Sequence, residues 1–148
     1  METGIKVCDA MTEKPVTISP TATVRQCAAL MLKERVGALL VKNKENLVGI
    51  VTERDIVRKV TSKDKKSSSV RTKDIMETEL ITISPEKDIF DAIKKMRDYD
   101  VRHLPVLDRG KFLGLITMKD VLRIEPELFD ILVDKLDIRE EERKLGKL

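Results

Sequence analysis

One stretch of sequence occurs twice in this chain, 65 residues apart and with no gap between the matched positions. The tetrad at residues 52–55 (Thr-Glu-Arg-Asp) recurs as residues 117–120 (Thr-Met-Lys-Asp), and each tetrad follows a glycine and two aliphatic residues. The Ser-Pro pair that begins at Ser19 recurs at Ser84. A repeat of this kind predicts two copies of one small α/β unit. Each tetrad is expected where a strand ends and a helix begins, which is a common place for ligand sites.

The residue pattern predicts the same element order in both copies: helix, strand, helix, strand, strand, helix. Apolar residues at helical spacing follow Asp88, which can cap the helix, and a matching stripe begins at Val24. In each copy a turn sequence then separates two short apolar runs, as in a hairpin. The remaining predicted elements are short helices at Val7–Met11, Thr72–Met76, Glu53–Lys59 and Met118–Arg123, and strands at Pro15–Ile18 and Leu80–Ile83.

The repeat also predicts the domain boundaries. Residues 1–60 form the first copy, the polar segment 61–71 is a linker, and residues 72–124 form the second copy. The repeat stops there, and residues 125–148 form a tail with an apolar stripe at Leu128–Leu136, which predicts a C-terminal helix.

Composition narrows the classes of function. Aromatic residues are 3% of the chain and there is no Trp, so the core is aliphatic and offers few rings on which bases could stack. A net charge of +3 does not by itself indicate nucleic acid or a membrane. Cys8 and Cys27 form no Cys-x-x-Cys pair and are expected to be reduced thiols. With no signal peptide or membrane-spanning run in this sequence, we expect a soluble, cytoplasmic protein.

The tetrads have two interpretations. A Thr followed three residues later by an acidic residue is a common helix cap, which needs no function. The same atoms could also form a ligand site, because each tetrad carries a cation, Arg54 or Lys119, and a further arginine follows at Arg58 or Arg123. From the spacing alone, the two interpretations stay open.

Catalytic groups are not recognisable in the sequence. We find no nucleophile with a base, no pair of tuned carboxylates and no metal-ligand cluster, since Asp55 and Asp120 occur singly and His103 is the one histidine. We therefore predict a protein that is not an enzyme and needs no cofactor or metal.

The full set of motifs resembles the CBS domain, the type first recognised in cystathionine β-synthase. The resemblance rests on residues 82–85 (Thr-Ile-Ser-Pro), 101–106 (Val-Arg-His-Leu-Pro-Val) and 114–120 (Gly-Leu-Ile-Thr-Met-Lys-Asp) of the second copy. The first copy matches at residues 16–20 and 49–55. Two such domains in tandem resemble a Bateman module, which implies an α/β fold with the two repeats packed sheet to sheet.

The resemblance implies that each copy contributes to a cleft for an adenosine-containing ligand: AMP, ADP, ATP or S-adenosylmethionine. Asp55 and Asp120 would accept hydrogen bonds from ribose hydroxyls, while backbone groups near Val36 and Val101 would hold the adenine. His103 is a further candidate, as a phosphate contact. The implied site residues are Thr17, Ile18, Val36, Gly37, Ala38, Leu39, Thr52, Arg54 and Asp55 in the first copy, and Thr82, Ile83, Val101, Arg102, His103, Leu104, Pro105, Thr117, Lys119 and Asp120 in the second.

The leading functional hypothesis is a stand-alone regulatory module that binds such a ligand between its repeats and signals by a conformational or oligomeric shift. The alternative is an assembly module with empty clefts, and nucleic-acid binding through Lys59–Lys66 and Arg71–Lys73 ranks last. We also expect a homodimer and an unidentified regulated protein as partners, and no membrane.

Overall fold

The structure is a computed structural model, and it describes residues 2–126 and 144–146. The predicted C-terminal helix and its Leu128–Leu136 stripe lie outside the described residues. A single-turn 3₁₀ helix covers Thr61–Lys63. The helices are α1 (Val7–Ala10), α2 (Val24–Glu34), α3 (Glu53–Lys59), α4 (Thr72–Ile75), α5 (Ile89–Tyr99) and α6 (Met118–Ile124), and the strands are β1 (Thr17–Ile18), β2 (Ala38–Asn43), β3 (Asn46–Thr52), β4 (His103–Asp108) and β5 (Lys111–Thr117).

These elements fall into two compact units. The unit of Lys14–Leu80 holds a three-stranded sheet in the order β1-β2-β3, in which β1 is parallel to β2 and β2–β3 is an antiparallel hairpin. Its core is aliphatic, as the composition predicts. The fully buried residues of this core are Val24, Cys27, Leu39, Val41 and Val51.

The other unit combines the residues up to Glu13 with those from Ile81 onward. Its sheet is the β4–β5 hairpin, whose turn has positive φ at Arg109 (51°) and Gly110 (79°), as a tight hairpin turn requires. The strand expected at Leu80–Ile83 is reduced to one parallel bridge between Ile83 and Val106, because only Ile83 bonds to β4. The fully buried residues of this core are Val7, Ile89, Ala92, Ile93, Met96, Leu104, Val106, Ile116 and Val121.

The compact units therefore do not follow the order of the sequence repeats. The segment with α1 joins the unit of the second repeat, where Thr12 N–H donates to Leu115 O at 2.8 Å. The segment with α4 joins the unit of the first repeat, where Glu77 N–H donates to Ile50 O, also at 2.8 Å. Each unit is completed by the leading segment of the other repeat.

The polar segment at residues 61–71, predicted as a linker, makes specific contacts with α2. Val24 N–H donates to Val70 O at 2.9 Å and Arg25 N–H donates to Ser67 O at 3.1 Å. These bonds satisfy two amide groups that the first turn of a helix otherwise leaves without a partner. The segment therefore helps to define where α2 begins.

Candidate functional site

Both tetrads form reciprocal helix caps, as the sequence predicts. In the first copy Asp55 N–H donates to Thr52 Oγ1 at 3.3 Å, and Thr52 N–H donates to Asp55 Oδ2 at 2.9 Å. In the second copy the corresponding bonds join Asp120 to Thr117 at 3.2 and 2.9 Å. Each aspartate is buried, with 6% of its surface exposed. The caps thus hold one carboxylate in place at the start of α3 and another at the start of α6.

In the first copy the second carboxylate oxygen of Asp55 is held by a lysine. Lys59 Nζ lies 3.2 Å from Asp55 Oδ1, one helical turn away. The same ammonium lies 2.6 Å from Glu77 Oε1 and donates to Ile75 O at 2.8 Å. Burial lowers the pKa of Lys59, but its contacts with Glu77 and Asp55 outweigh burial and raise that pKa above its usual value. The lysine is therefore a charged, fully engaged group.

In the second copy the same oxygen has a much looser contact. Asp120 Oδ1 lies 4.0 Å from Arg123 Nη1, and the Arg123 side chain is 76% exposed. The positions that correspond to Lys59 and Glu77 are occupied by Ile124 and Thr12, which bring no charge. The Asp120 carboxylate therefore lies at a site without the lysine contact that holds Asp55.

Arg102, Lys119 and Asp120 all lie close enough to His103 to influence its charge. His103 pairs with Thr117 across the β4–β5 ladder. Burial and the positive charges of Arg102 and Lys119 together lower the pKa of His103 to about 4, against a smaller opposing effect of Asp120. His103 is consequently neutral at pH 7, so it can meet a phosphate as a hydrogen-bonding group rather than as a cation.

The corresponding part of the first copy has a different charge pattern. Gly37 and Ala38 stand where the second copy has Arg102 and His103, and Ala38 pairs with Thr52. The Glu53 carboxyl carbon lies 3.4 Å from the point where a Cβ on Gly37 would stand. The first copy thus places an acidic group beside Gly37, whereas the second copy has Arg102 and the uncharged Met118 at the matching positions.

The structure gathers most second-copy candidates at one end of the β4–β5 hairpin, away from the turn. There Met118 N–H donates to Arg102 O at 3.0 Å, and Ile83 N–H donates to Pro105 O at 3.1 Å. Val101 is partly buried just before β4, and Leu104 is fully buried in the core. Thr82 O accepts a bond from Lys95 Nζ at 2.5 Å.

The first-copy candidates occupy the matching end of the β2–β3 hairpin. Glu53 N–H donates to Gly37 O at 3.0 Å, as at the second copy. Val36 is partly buried before β2, and the Leu39 side chain lies in the core, which leaves only its backbone for a ligand. Thr17 and Ile18 form β1, with Thr17 exposed.

Sequence reasoning missed the role of Lys59. We grouped it with the basic segment Lys59–Lys66, but its ammonium contacts Asp55 and Glu77, although 34% of the side chain is exposed. The four-residue spacing from Asp55 was a usable signal. No sequence signal indicated the contact between Lys59 and Glu77, because Glu77 lies after α4 in the second repeat. Arg71 of the basic segment is also engaged within the chain, and donates to Thr21 O at 3.1 Å.

Among the described residues, no three His, Cys, Asp or Glu side chains come close enough together to hold a metal ion. Within the same part of the chain, no helix has the length and apolar character needed to cross a membrane.

Comparison with known proteins identifies the family. The CBS domain profile matches residues 7–62 and again residues 73–127. An uncharacterized protein of Methanopyrus kandleri is 34% identical over 141 residues, which cover 94% of this chain and 72% of that protein.

Solved structures agree with this match. A protein with CBS domains from Burkholderia ambifaria has a TM-score of 0.76 at 32% identity, over 82% of this chain and 95% of its own. A hexameric CBS-CP12 protein from bloom-forming cyanobacteria has a TM-score of 0.73 at 26% identity, over 95% of this chain and 86% of its own. The chain therefore belongs to the CBS-domain family and carries two of these domains in tandem.

Proposed function

We propose that this CBS-domain chain is a regulatory module that binds an adenosine-containing ligand at its second copy. The observation that carries the proposal is the buried Asp120 carboxylate, fixed by its cap and 4.0 Å from Arg123 Nη1, at a place where Arg102 and Lys119 also act on the neighbouring His103. A fixed carboxylate can accept hydrogen bonds from the two hydroxyls of a ribose. Nearby cations favour an anionic group on the same ligand.

This charge pattern favours a phosphate-bearing ligand, AMP, ADP or ATP, over the cationic S-adenosylmethionine. Arg123 lies 4.0 Å from Asp120, and Arg102 and Lys119 act on His103, so a ligand with both a ribose and a phosphate offers a partner to each kind of group. Binding would shift the population of conformational or oligomeric states, which a regulated partner protein detects. No catalytic step is part of the proposal.

Calorimetric titration of the purified chain with AMP, ADP, ATP and S-adenosylmethionine tests this function. At least one phosphate-bearing ligand should bind, and Asp120→Asn should weaken it about tenfold or more, because a charge-assisted hydrogen bond contributes about 1.5–3 kcal/mol. Asp108→Asn is the matched control, since Asp108 is exposed at the turn end of the same hairpin. No heat from any of the four ligands, or equal affinity for the Asp120→Asn variant, would refute the proposal.

The second candidate is an assembly module, which the exposed apolar side chains favour. Leu32 of α2 is 83% exposed and Val57 of α3 is 59% exposed, so both offer contacts to another chain. The hexameric CBS-CP12 protein is a structural neighbour that self-associates. Light scattering of the wild type and of a Leu32→Glu, Val57→Glu double variant tests it: a dimer that becomes a monomer supports assembly, and a wild-type monomer at all concentrations opposes it.

A further inference from the structure

We infer that Lys59 is a built-in cation that closes the first copy to a nucleotide, so that each chain binds a single ligand, at its second copy. The inference rests on the proposed function and adds a stoichiometry and a specificity-determining residue to it. It starts from an asymmetry at equivalent positions. Lys59 contacts the buried Asp55 carboxylate, whereas Ile124 stands at the matching position beside Asp120.

The first step concerns the capacity of the Asp55 carboxylate. Its Oδ2 atom accepts from Thr52 N–H at 2.9 Å and from Thr52 Oγ1 at 3.1 Å. Its Oδ1 atom lies 3.2 Å from Lys59 Nζ. Each oxygen therefore has a partner from within the chain. A ribose hydroxyl would have to share Oδ1 with Lys59, or displace the lysine, to gain a charge-assisted bond with Asp55.

The second step concerns how firmly Lys59 is held. Its ammonium has three donors, and the structure gives it three acceptors: Asp55 Oδ1, Glu77 Oε1 and Ile75 O. Ile75 and Glu77 belong to the segment of α4 that completes this unit. Displacing the ammonium would leave the Asp55 charge buried without its partner, a costly state for a carboxylate with 6% of its surface exposed.

The third step concerns charge next to the tetrad. The Glu53 carboxylate packs against Gly37, where the second copy has the Arg102 backbone and the uncharged Met118. An acidic group at this place repels a phosphate rather than attracting it. Lys59 competes with a ribose hydroxyl for Asp55 and Glu53 disfavours the phosphate, so both kinds of ligand contact are weakened in the first copy.

Calorimetry with AMP and ATP as probes tests the inference, read as the number of ligands per chain. Wild type should bind one ligand, Asp120→Asn should bind it about tenfold or more weakly, and Lys59→Met in the Asp120→Asn background should restore one tight site. Adding Asp55→Asn to that double variant should abolish it again. Lys66→Met in the Asp120→Asn background is the matched control, since it removes an exposed lysine of the same unit, and it should restore nothing.

The outcomes separate this inference from the proposed function. Two ligands on wild type, or no site restored by Lys59→Met, overturns the inference while the second-copy site stands. No ligand on wild type but one on Lys59→Met overturns the proposed second-copy site, while the closure of the first copy by Lys59 stands. No ligand on either overturns both. If Lys59→Met does not fold, Lys59→Gln replaces it, and the wild-type stoichiometry remains decisive because two ligands contradict closure.

Discussion

The two copies have nearly the same backbone but different polar contacts at their tetrads. Both hairpins end at a Thr that caps a seven-residue helix, and both caps bury an aspartate to the same extent. Beyond the caps the copies diverge: Asp55 meets Lys59, whereas Asp120 meets only the distant and exposed Arg123. The cap is therefore a structural feature that both copies share. The residues around it determine whether its carboxylate is available to a ligand.

The first prediction tests whether the two cores are equivalent. Leu39 and Leu104 occupy matching positions, and both are fully buried. Truncating either leucine to Ala should lower the free energy of unfolding by about 2–5 kcal/mol, because each change removes buried methyl groups and leaves a cavity. Urea denaturation of the two variants measures this. A loss in one copy that is several times the loss in the other would break the equivalence.

The second prediction concerns the glycine at the middle of each hairpin. A Cβ on Gly114 would lie 2.6 Å from the carbonyl oxygen of Thr12, and a Cβ on Gly49 would lie 2.8 Å from Met76 Sδ and 2.9 Å from Glu77 O. Both Gly→Ala variants should lose about 1–3 kcal/mol of stability, with the larger loss at Gly114, since its closest neighbour is backbone. Thermal unfolding of the two variants measures their order of stability. A larger loss of stability for the Gly49 variant would contradict the order expected from these distances.

Sequence patterns predicted local structure well where the signal is local. The bounds of Glu53–Lys59 are confirmed because a Thr at the N-cap and an Asp three residues later form the capping box within one turn. The strand at Leu80–Ile83 is wrong in extent, since extended and β-branched residues form a ladder only where a neighbouring strand lies alongside, and β4 bonds to Ile83 alone.

Long-range contacts explain the rest of what the sequence did not reveal. Matched residues of the two repeats are 65 positions apart whether α1 packs on its own repeat or on the other. The repeat spacing therefore does not predict which unit α1 or α4 joins. The contact between Lys59 and Glu77 follows from that regrouping. The site residues implied by the family resemblance stay predictions until a ligand is measured.

The third prediction uses the histidine that only the second copy has. The folded pKa of His103 is about 4, below its ordinary value of 6.5. Between these values the unfolded chain binds a proton at His103 that the folded chain does not, so stability falls as the pH drops from 6.5 to 4. After allowance for partial exposure we expect a loss of about 1–2 kcal/mol from this residue.

His103→Ala, which installs the residue found at Ala38, isolates this effect. Urea midpoints of the wild type and the variant at pH 7.0 and pH 4.5 should differ in their pH dependence, since the carboxylates titrate alike in both proteins. The variant should lose less stability on acidification than the wild type. An identical pH dependence in the two proteins would show that His103 is not held neutral by burial and by Arg102 and Lys119.

The fourth prediction exchanges a residue between the copies. Arg102→Gly installs the first-copy residue and should weaken ATP binding about twofold to fivefold, because an exposed charge contributes about 0.5–1 kcal/mol. The salt dependence of binding should also decrease, since one cation fewer faces the phosphates. Titrations of both proteins at low and moderate salt measure the two effects.

The reciprocal change, Gly37→Arg, sharpens the comparison further. It places a cation next to Glu53, where the space beside Gly37 allows a Cβ at ordinary contact distance. If cations alone made the second copy a site, this variant would gain ATP binding at the first copy. We expect no gain, because Glu53 pairs with the new arginine and Asp55 remains in contact with Lys59. A second ATP on the Gly37→Arg variant would mean that charge near the tetrad, rather than an available carboxylate, separates the two copies.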